Sequence, residues 1–409
     1  MYKIAIIRES RSDDRRTPLV PTHIKDLLST YTDLSITVQP SNHRCFSDQA
    51  YEEQGAIINE DLSTCDLILG VKEIEPDLLM PSKSYIFFSH TSKIQPDNSA
   101  AAQGTPGMDK KELLREILKR KVTLIDYENI RDDLSRRYLG FGRFAGIVGC
   151  YNSLNLYLET IGQKPMPRAY ELNSYEKLKD NIYKKNFGDA RIIITGDGRV
   201  ARGSLEFLEF TDIQKVSPDE YLQNNNSSAV FCNLPTSAYV SHKDRNDFDL
   251  QHFINSPEMY FSVLDKYMPS STMLISSHYW DPKSPRLFEK KDIEKYNNLK
   301  VIGDITCDVN GSIPTTSRPS TITDPHYYLD RTTLQEVNRD NQALAVMAVD
   351  NLPSELPKDS SNEFGDGIVN EVLPYILKKD DGRIKRATIT ENGDFLPSYE
   401  YLKNYINAI

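Results

Sequence analysis

A chain of 409 residues has room for two or three domains with sizeable cores, and 39% hydrophobic against 26% charged residues excludes a disordered chain. Lys and Arg number 49 against 59 Asp and Glu, a formal net charge of −10, and no segment is strongly basic, which excludes a nucleic-acid footprint. No apolar run approaches the roughly 18 residues of a membrane span, so the expected partners are small molecules or further copies of the chain.

The opening MYKIAIIRE runs into a strand and then charges, unlike a signal peptide. Five scattered cysteines (Cys45, Cys65, Cys150, Cys232, Cys307) form no C-x-x-C pair. A cytoplasmic protein with free thiols and no metal site is the expectation. Tyr2 to Ile7 reads as a buried strand and Thr22 to Leu28 as the start of a helix. Further strands are expected at Leu34 to Gln39, Cys65 to Val71, Ser84 to Ser89 and Val122 to Tyr127. Apolar Leu113, Leu114, Ile117 and Leu118 put a helix over Lys111 to Lys119. The small, polar stretch Pro96 to Lys110 reads as an exposed loop, with an active-site lid as the alternative. Phe144 to Tyr157, rich in small residues at its start, reads as a helix packed closely between domains. A second α/β unit opens at Arg191 and runs to about residue 340, and the rest of the chain, with helices such as Ile368 to Leu377, should pack back on the first domain.

Strands alternating with helices predict an α/β fold of two Rossmann-like domains with parallel sheets flanking a central cleft. The expected division is residues 1–145 plus 342–409 for a substrate and catalytic domain, and 146–341 for a dinucleotide-binding domain. In open α/β sheets ligands bind at the carboxyl ends of the strands. Lys72, His90 and Glu128 all fall at such ends.

The sequence Arg191-Ile-Ile-Ile-Thr-Gly196-Asp-Gly198-Arg199-Val200-Ala201 is G-x-G-x-x-A between an apolar strand and a helix, the context that a dinucleotide-binding turn requires. Gly196 permits the tight turn, Gly198 lets the backbone approach a pyrophosphate, and Ala201 allows close helix–strand packing. The first helical residues, Arg199 and Val200 among them, turn their amides to the phosphates. A purely structural turn is the alternative. The ribose partner should lie roughly 20 residues on, after a second strand. That strand is read as Asp212 to Val216, which makes Ser217 the ribose position. A neutral serine does not repel a 2′-phosphate, so NADP is favoured over NAD, with Asp219 nearby opposing that preference.

Charged residues recur in D-D-R-R16-T-P-L-V-P, G-V-K72-E73, F-F-S-H90-T-S-K93, L-I-D-Y-E128 and R-R137-Y-L-G-F-G-R143. With S-N-x-R and D-N-L-P-x-x-L-P, these strings resemble the lysine-forming saccharopine dehydrogenases, above all the lysine–ketoglutarate reductase half of the bifunctional lysine-degrading enzyme. The resemblance runs from Arg8 to about residue 400, and alanine dehydrogenase and the transhydrogenase NAD-binding component are more distant relatives. It implies Lys72 and His90 as an acid–base pair and Arg16 as a receptor for a substrate carboxylate. It makes Glu73 and Glu128 charge-balancing acids, and Lys93 and Arg137 bases lining the substrate pocket. It puts Asp308, in G-D-I-T-C-D, and Asn351, in D-N-L-P, beside the nicotinamide. A monofunctional reductase is expected, since the second half of the bifunctional enzyme has no counterpart. The stretch 96–110 is longer than the family's turn, and Arg143 stands where relatives vary.

Saccharopine is lysine joined through its ε-nitrogen to the skeleton of 2-oxoglutarate, and it carries three carboxylates. Arginine suits such groups because its planar fork binds them bidentately. Forming it needs a neutral amine, loss of water and hydride delivery, hence groups titrating near neutrality. The expected substrates are therefore an amino acid and a 2-oxo acid, with NADP or NAD as cofactor. An opine-type or alanine-dehydrogenase-like enzyme, or a catalytically silent nucleotide-binding module, are the competing readings. The remaining histidines have no metal-like spacing.

Overall fold

The computed structural model describes residues 1–92, 108–223, 228–244, 247–340 and 342–407. Lys93 and residues 96–107 of the expected loop lie outside the described residues. The chain divides into two compact units, Met1–Phe141 with Pro357–Ile409, and Gly142–Leu356.

In the first unit, β1 (Tyr2–Ile6), β2 (Leu34–Val38), β3 (Ile57–Ile58), β4 (Leu67–Leu69), β5 (Ser84–Phe87) and β6 (Thr123–Asp126) pair in parallel in the order β6-β5-β4-β1-β2-β3. Successive residues of a strand point to opposite faces. Ile4 and Ile6 accordingly enter one core layer with Leu67 and Ile86, while Ala5 and Ile7 enter the other with Ile68 and Tyr85. Both faces are covered, which is why these strands read as continuous apolar runs rather than alternating ones. Each fully buried isoleucine contributes about 1.5–3 kcal/mol.

A hairpin of Thr388–Glu391 and Asp394–Phe395 extends this sheet antiparallel to β6. No apolar run in the sequence announces these two strands. The helix Pro357–Glu371 places Phe364 and Ile368 in the same core layer as Ile4.

The second unit holds β7 (Arg191–Thr195), β8 (Gln214–Lys215), β9 (Val230–Leu234), a separate hairpin of β10 (Val240–His242) and β11 (Tyr260–Ser262), then β12 (Met273–Ser276), β13 (Val301–Asp304), β14 (His326–Leu329), β15 (Glu336–Val337) and β16 (Leu344–Met347). Its sheet runs β15-β14-β16-β13-β12-β7-β9-β8, parallel from β16 to β8. Because β16 belongs to this sheet, the chain returns to the first unit at Pro357 rather than near residue 342.

The helix Gly142–Thr160 also belongs to the second unit. Its small residues serve a contact within that unit. A Cβ on Gly146 would lie 1.9 Å from the Val200 carbonyl oxygen, and one on Gly203 would lie 2.0 Å from that of Arg143. The helices 142–160 and 199–208 therefore touch backbone to backbone. Arg143 crosses the same contact, its Nε donating to Glu206 Oε2 at 2.6 Å.

Candidate active site and dinucleotide turn

Four neighbouring strands of the first unit deliver polar groups just past their carboxyl ends. Glu9 follows β1, Lys72 and Glu73 follow β4, His90 follows β5 and Glu128 follows β6. Parallel strands end on the same edge, so residues distant in sequence gather there. The backbone is fixed by side chains at this edge. Glu9 accepts from the Val71 and Lys72 amides at 2.7 and 2.8 Å. Asp126 accepts from the Ser89 amide at 3.3 Å and the Glu128 amide at 2.8 Å, tying the His90 and Glu128 segments together. His90 has φ +51°, a left-handed conformation rarely adopted by a non-glycine residue and found where the surroundings hold it.

His90 Nδ1 lies 2.6 Å from Glu73 Oε1. A carboxylate accepts from N–H, which puts the ring proton on Nδ1 and leaves Nε2 as the acceptor of the neutral imidazole. The Glu73 side chain is fully buried and that of His90 is 13% exposed. Burial, then the charge of Asp14, pushes the Glu9 carboxyl up to about 7, against the pull of the two amides and of Arg16. Burial, then the charge of Glu128, raises Asp126 to about 6. For Asp14 burial also pushes upward, but the Arg16 guanidinium, followed by Lys72, outweighs it and holds the carboxyl well below the usual range. The edge thus carries two carboxyls that change charge near neutrality and one that stays ionised.

Arg16, expected as a carboxylate receptor, is buried. Its Nε donates to Asp14 Oδ1 at 2.9 Å and its guanidinium stacks 4.1 Å from the centre of the Phe141 ring. Its charge is balanced by Asp14. Arg137, also expected at the substrate, is more accessible at 32% and lies 3.1 Å from Glu128 Oε1. Beneath them Phe364 packs on Phe141 (4.4 Å between centroids), Tyr127 (5.0 Å) and Phe88 (5.6 Å), and Phe88 in turn stacks on His90 at 6.2 Å. The Ser361 hydroxyl accepts from the Thr17 amide at 3.0 Å. The helix 357–371 therefore braces the Arg16 segment.

In the second unit Gly196 follows β7 with φ +98°, and a Cβ there would meet the His278 Cα at 2.8 Å, so only glycine fits. A Cβ on Gly198 would meet nothing within 4 Å, leaving open space over the turn. The helix begins at Arg199, and Ala201 lies on its buried face. A strand, a left-handed glycine, an open second glycine and a helix start together fit a pyrophosphate. Asp308 and Asn351 are half-buried, at the segment after β13 and at the start of the 352–355 turn, where Asn351 has φ +68°. Asp304, not singled out from the sequence, accepts from Ser276, Thr306 and Thr316 hydroxyls at 3.0, 2.6 and 2.6 Å and fixes the start of the Asp308 segment.

Ser217 requires a correction. It follows β8, which is the edge strand, and β9 intervenes between β8 and β7. Adjacent strands are about 4.8 Å apart, which puts β8 roughly 9–10 Å from the strand of the glycine turn. The Ser217 hydroxyl accepts from the Glu220 amide at 3.3 Å while Glu220 accepts from the Ser217 amide at 2.8 Å, a capping arrangement for the helix Pro218–Gln223.

Glu9, Asp14 and Asp126 were missed. The strand-end rule that picks out Lys72 and His90, applied to β1, would have found Glu9.

Residues 5–148 match the model of the alanine dehydrogenase/PNT N-terminal domain. The chain is 30% identical to an alpha-aminoadipic semialdehyde synthase of Arabidopsis thaliana, over 95% of this chain and 40% of that protein. It is 29% identical to the mitochondrial alpha-aminoadipic semialdehyde synthase of Bos taurus, over 95% and 46%. It therefore spans less than half the length of these synthases. With the saccharopine dehydrogenase [NAD(+), L-lysine-forming] of Neurospora crassa it shares 22% identity over 91% of this chain and 90% of that one. An L-alanine dehydrogenase structure superposes with TM-score 0.63 at 12% identity, covering 99% of both chains, and the transhydrogenase of Sinorhizobium meliloti with 0.60 at 13%, covering 96% and 100%. These two share its fold. Residues 5–148 thus carry the likeness to the alanine dehydrogenase/PNT N-terminal domain, and the chain as a whole is similar in sequence to saccharopine dehydrogenases and alpha-aminoadipic semialdehyde synthases.

Proposed function

We propose that the chain is a NAD(P)-dependent dehydrogenase acting on a CH–NH bond, of the lysine-forming saccharopine type. It joins the ε-nitrogen of L-lysine to the carbon skeleton of 2-oxoglutarate by reduction, or runs the reverse. The observation that carries this reading is the His90–Glu73 pair at 2.6 Å, on the same strand edge as Lys72, Glu9, Glu128 and Arg137.

The dinucleotide would be held by the turn Gly196–Gly198 and the first amides of the helix, those of Arg199, Val200 and Ala201. Asp308 and Asn351 are assigned to its nicotinamide end by family resemblance. When bound, the nicotinamide supplies or takes the hydride. The remaining work is proton movement and charge placement. Glu73 fixes the imidazole of His90 so that Nε2 takes a proton from the incoming ammonium and returns one to the departing water. Lys72 is the second acid–base group, and Glu9 holds its backbone by accepting from its amide. Arg137 receives a substrate carboxylate. The Arg16–Asp14 pair shapes the floor, its positive charge balanced before substrate arrives.

The test is oxidation of NADPH or NADH by the purified protein, followed by loss of reduced-nicotinamide absorbance. Turnover is expected with L-lysine and 2-oxoglutarate together and with neither alone. Turnover with pyruvate and ammonia only would contradict the proposal in favour of alanine-dehydrogenase-like chemistry.

A further inference from the structure

In the usual doubly wound dinucleotide fold the strand beside the glycine-turn strand is the next one in sequence, and its carboxyl end meets the adenosine ribose. Here the order is β8-β9-β7-β12, so the neighbour on that side is the third strand, β9, and the second is displaced to the edge. The register aligns Thr195 with Leu234 at the last paired positions of β7 and β9. Immediately beyond them the two segments are stitched together. The Gly196 amide donates to the Leu234 carbonyl at 2.9 Å, and Asn233 Nδ2 donates to the carbonyls of Gly196 at 2.8 Å and Ile194 at 3.3 Å.

Asn233 is thereby committed to the turn, and Pro235 has neither a side-chain donor nor an N–H. Thr236, half-buried, is the first polar side chain past the end of β9, and the exposed Ser237 follows it. The Thr236 hydroxyl lies 3.4 Å from that of Tyr239, whose environment also includes the charge of Asp197 in the glycine turn.

We infer that Thr236, at the carboxyl end of β9, is the position that discriminates the 2′-hydroxyl from the 2′-phosphate of the adenosine ribose, in place of Ser217 on β8. This rests on the nicotinamide reading above and adds to it the site of cofactor selection. A neutral hydroxyl accepts either group, donating to a phosphate or exchanging hydrogen bonds with a ribose hydroxyl. An aspartate in its place would accept from the hydroxyl and repel the phosphate, whereas a lysine would attract the phosphate. Residue 236 opens the short helix Thr236–Tyr239, a position that tolerates both aspartate and lysine.

The experiment is direct binding of NADPH and NADH to the full chain, by quenching of protein fluorescence or by calorimetry, for wild type and three variants. Thr236→Asp is expected to lower the NADPH-to-NADH affinity ratio about tenfold or more, since a like charge at close range costs several kcal/mol. Thr236→Lys is expected to raise it. Ser217→Asp is expected to leave it within about twofold, because the β8–β9 register sets Ser217 level with Asn233, three residues or roughly 10 Å short of Thr236, where salt screens much of its charge. A ratio moved by Ser217→Asp and unmoved by both Thr236 variants overturns the assignment while leaving the nicotinamide reading intact. Failure of wild type to bind either nucleotide overturns the nicotinamide reading, and the assignment with it.

Discussion

At the residue scale the proposed chemistry depends on which atom of His90 carries its proton, and that is decided by Glu73. If His90 and Lys72 are the acid–base pair, His90→Gln and Lys72→Met should each lower turnover by roughly 10²- to 10⁴-fold. Nucleotide binding should persist, because neither residue lies in the unit that carries the glycine turn. Near-wild-type turnover in both variants would place the chemistry elsewhere. Glu73→Gln should cost less than His90→Gln, since the imidazole remains and only its anchor is weakened.

Glu9 offers a test in pH. Its folded value of about 7 lies above its ordinary 4.5, so the folded state binds this proton more tightly. The corresponding stability is fully present below pH ~4.5 and is lost as pH rises through about 7. Urea denaturation of wild type and Glu9→Gln should show wild type losing ground by on the order of 3 kcal/mol across that window. A pH-independent difference would mean that Glu9 is ionised throughout. Much of this edge was legible in the sequence, because Lys72, His90 and Glu128 follow apolar runs that announce strands. Asp14 was not legible. It is one of two adjacent aspartates before Arg15 and Arg16, and only the folded loop selects which aspartate pairs with which arginine.

At the element scale β1, β2, β4, β5 and β6 of the first unit were read close to their true limits, since apolar runs bounded by charge leave little freedom, whereas the equally buried β9, β12, β13 and β16 of the second unit were not read. Nor were strands that depend on a neighbour read to their limits. β8 has two residues, both exposed, and its place at the edge follows from its pairing with β9 rather than from any pattern of its own. The hairpin 388–395 was likewise missed, because Thr388 and Thr390 become buried only against β6. Phe364 shows what that distant segment contributes. Its ring is buried among Phe141, Tyr127 and Phe88, so Phe364→Ala should destabilise the first unit by about 3–5 kcal/mol. Thermal denaturation measures this. A loss below about 1 kcal/mol would mean that the aromatic cluster closes over the gap.

At the scale of the whole molecule, each unit has its own sheet, its own pair of core layers and its own cluster of strand-end groups. Under the proposed function the first would provide the acid–base side chains and the second the dinucleotide turn, a division of labour suited to hydride transfer coupled to proton movement. Among the described residues no helix is long and apolar enough to cross a membrane, and all five cysteines are free. Burial pushes the Cys45 and Cys232 thiols up to about 11, so native protein should react far more slowly with a thiol reagent than denatured protein does. The most direct test of the central claim is steady-state turnover of wild type and His90→Gln, side by side, with L-lysine, 2-oxoglutarate and reduced nicotinamide. The account predicts turnover that requires both substrates and falls at least about a hundredfold in the variant, with cofactor affinity retained. Equal rates in the two proteins, or no oxidation by wild type in the presence of both substrates, would contradict it.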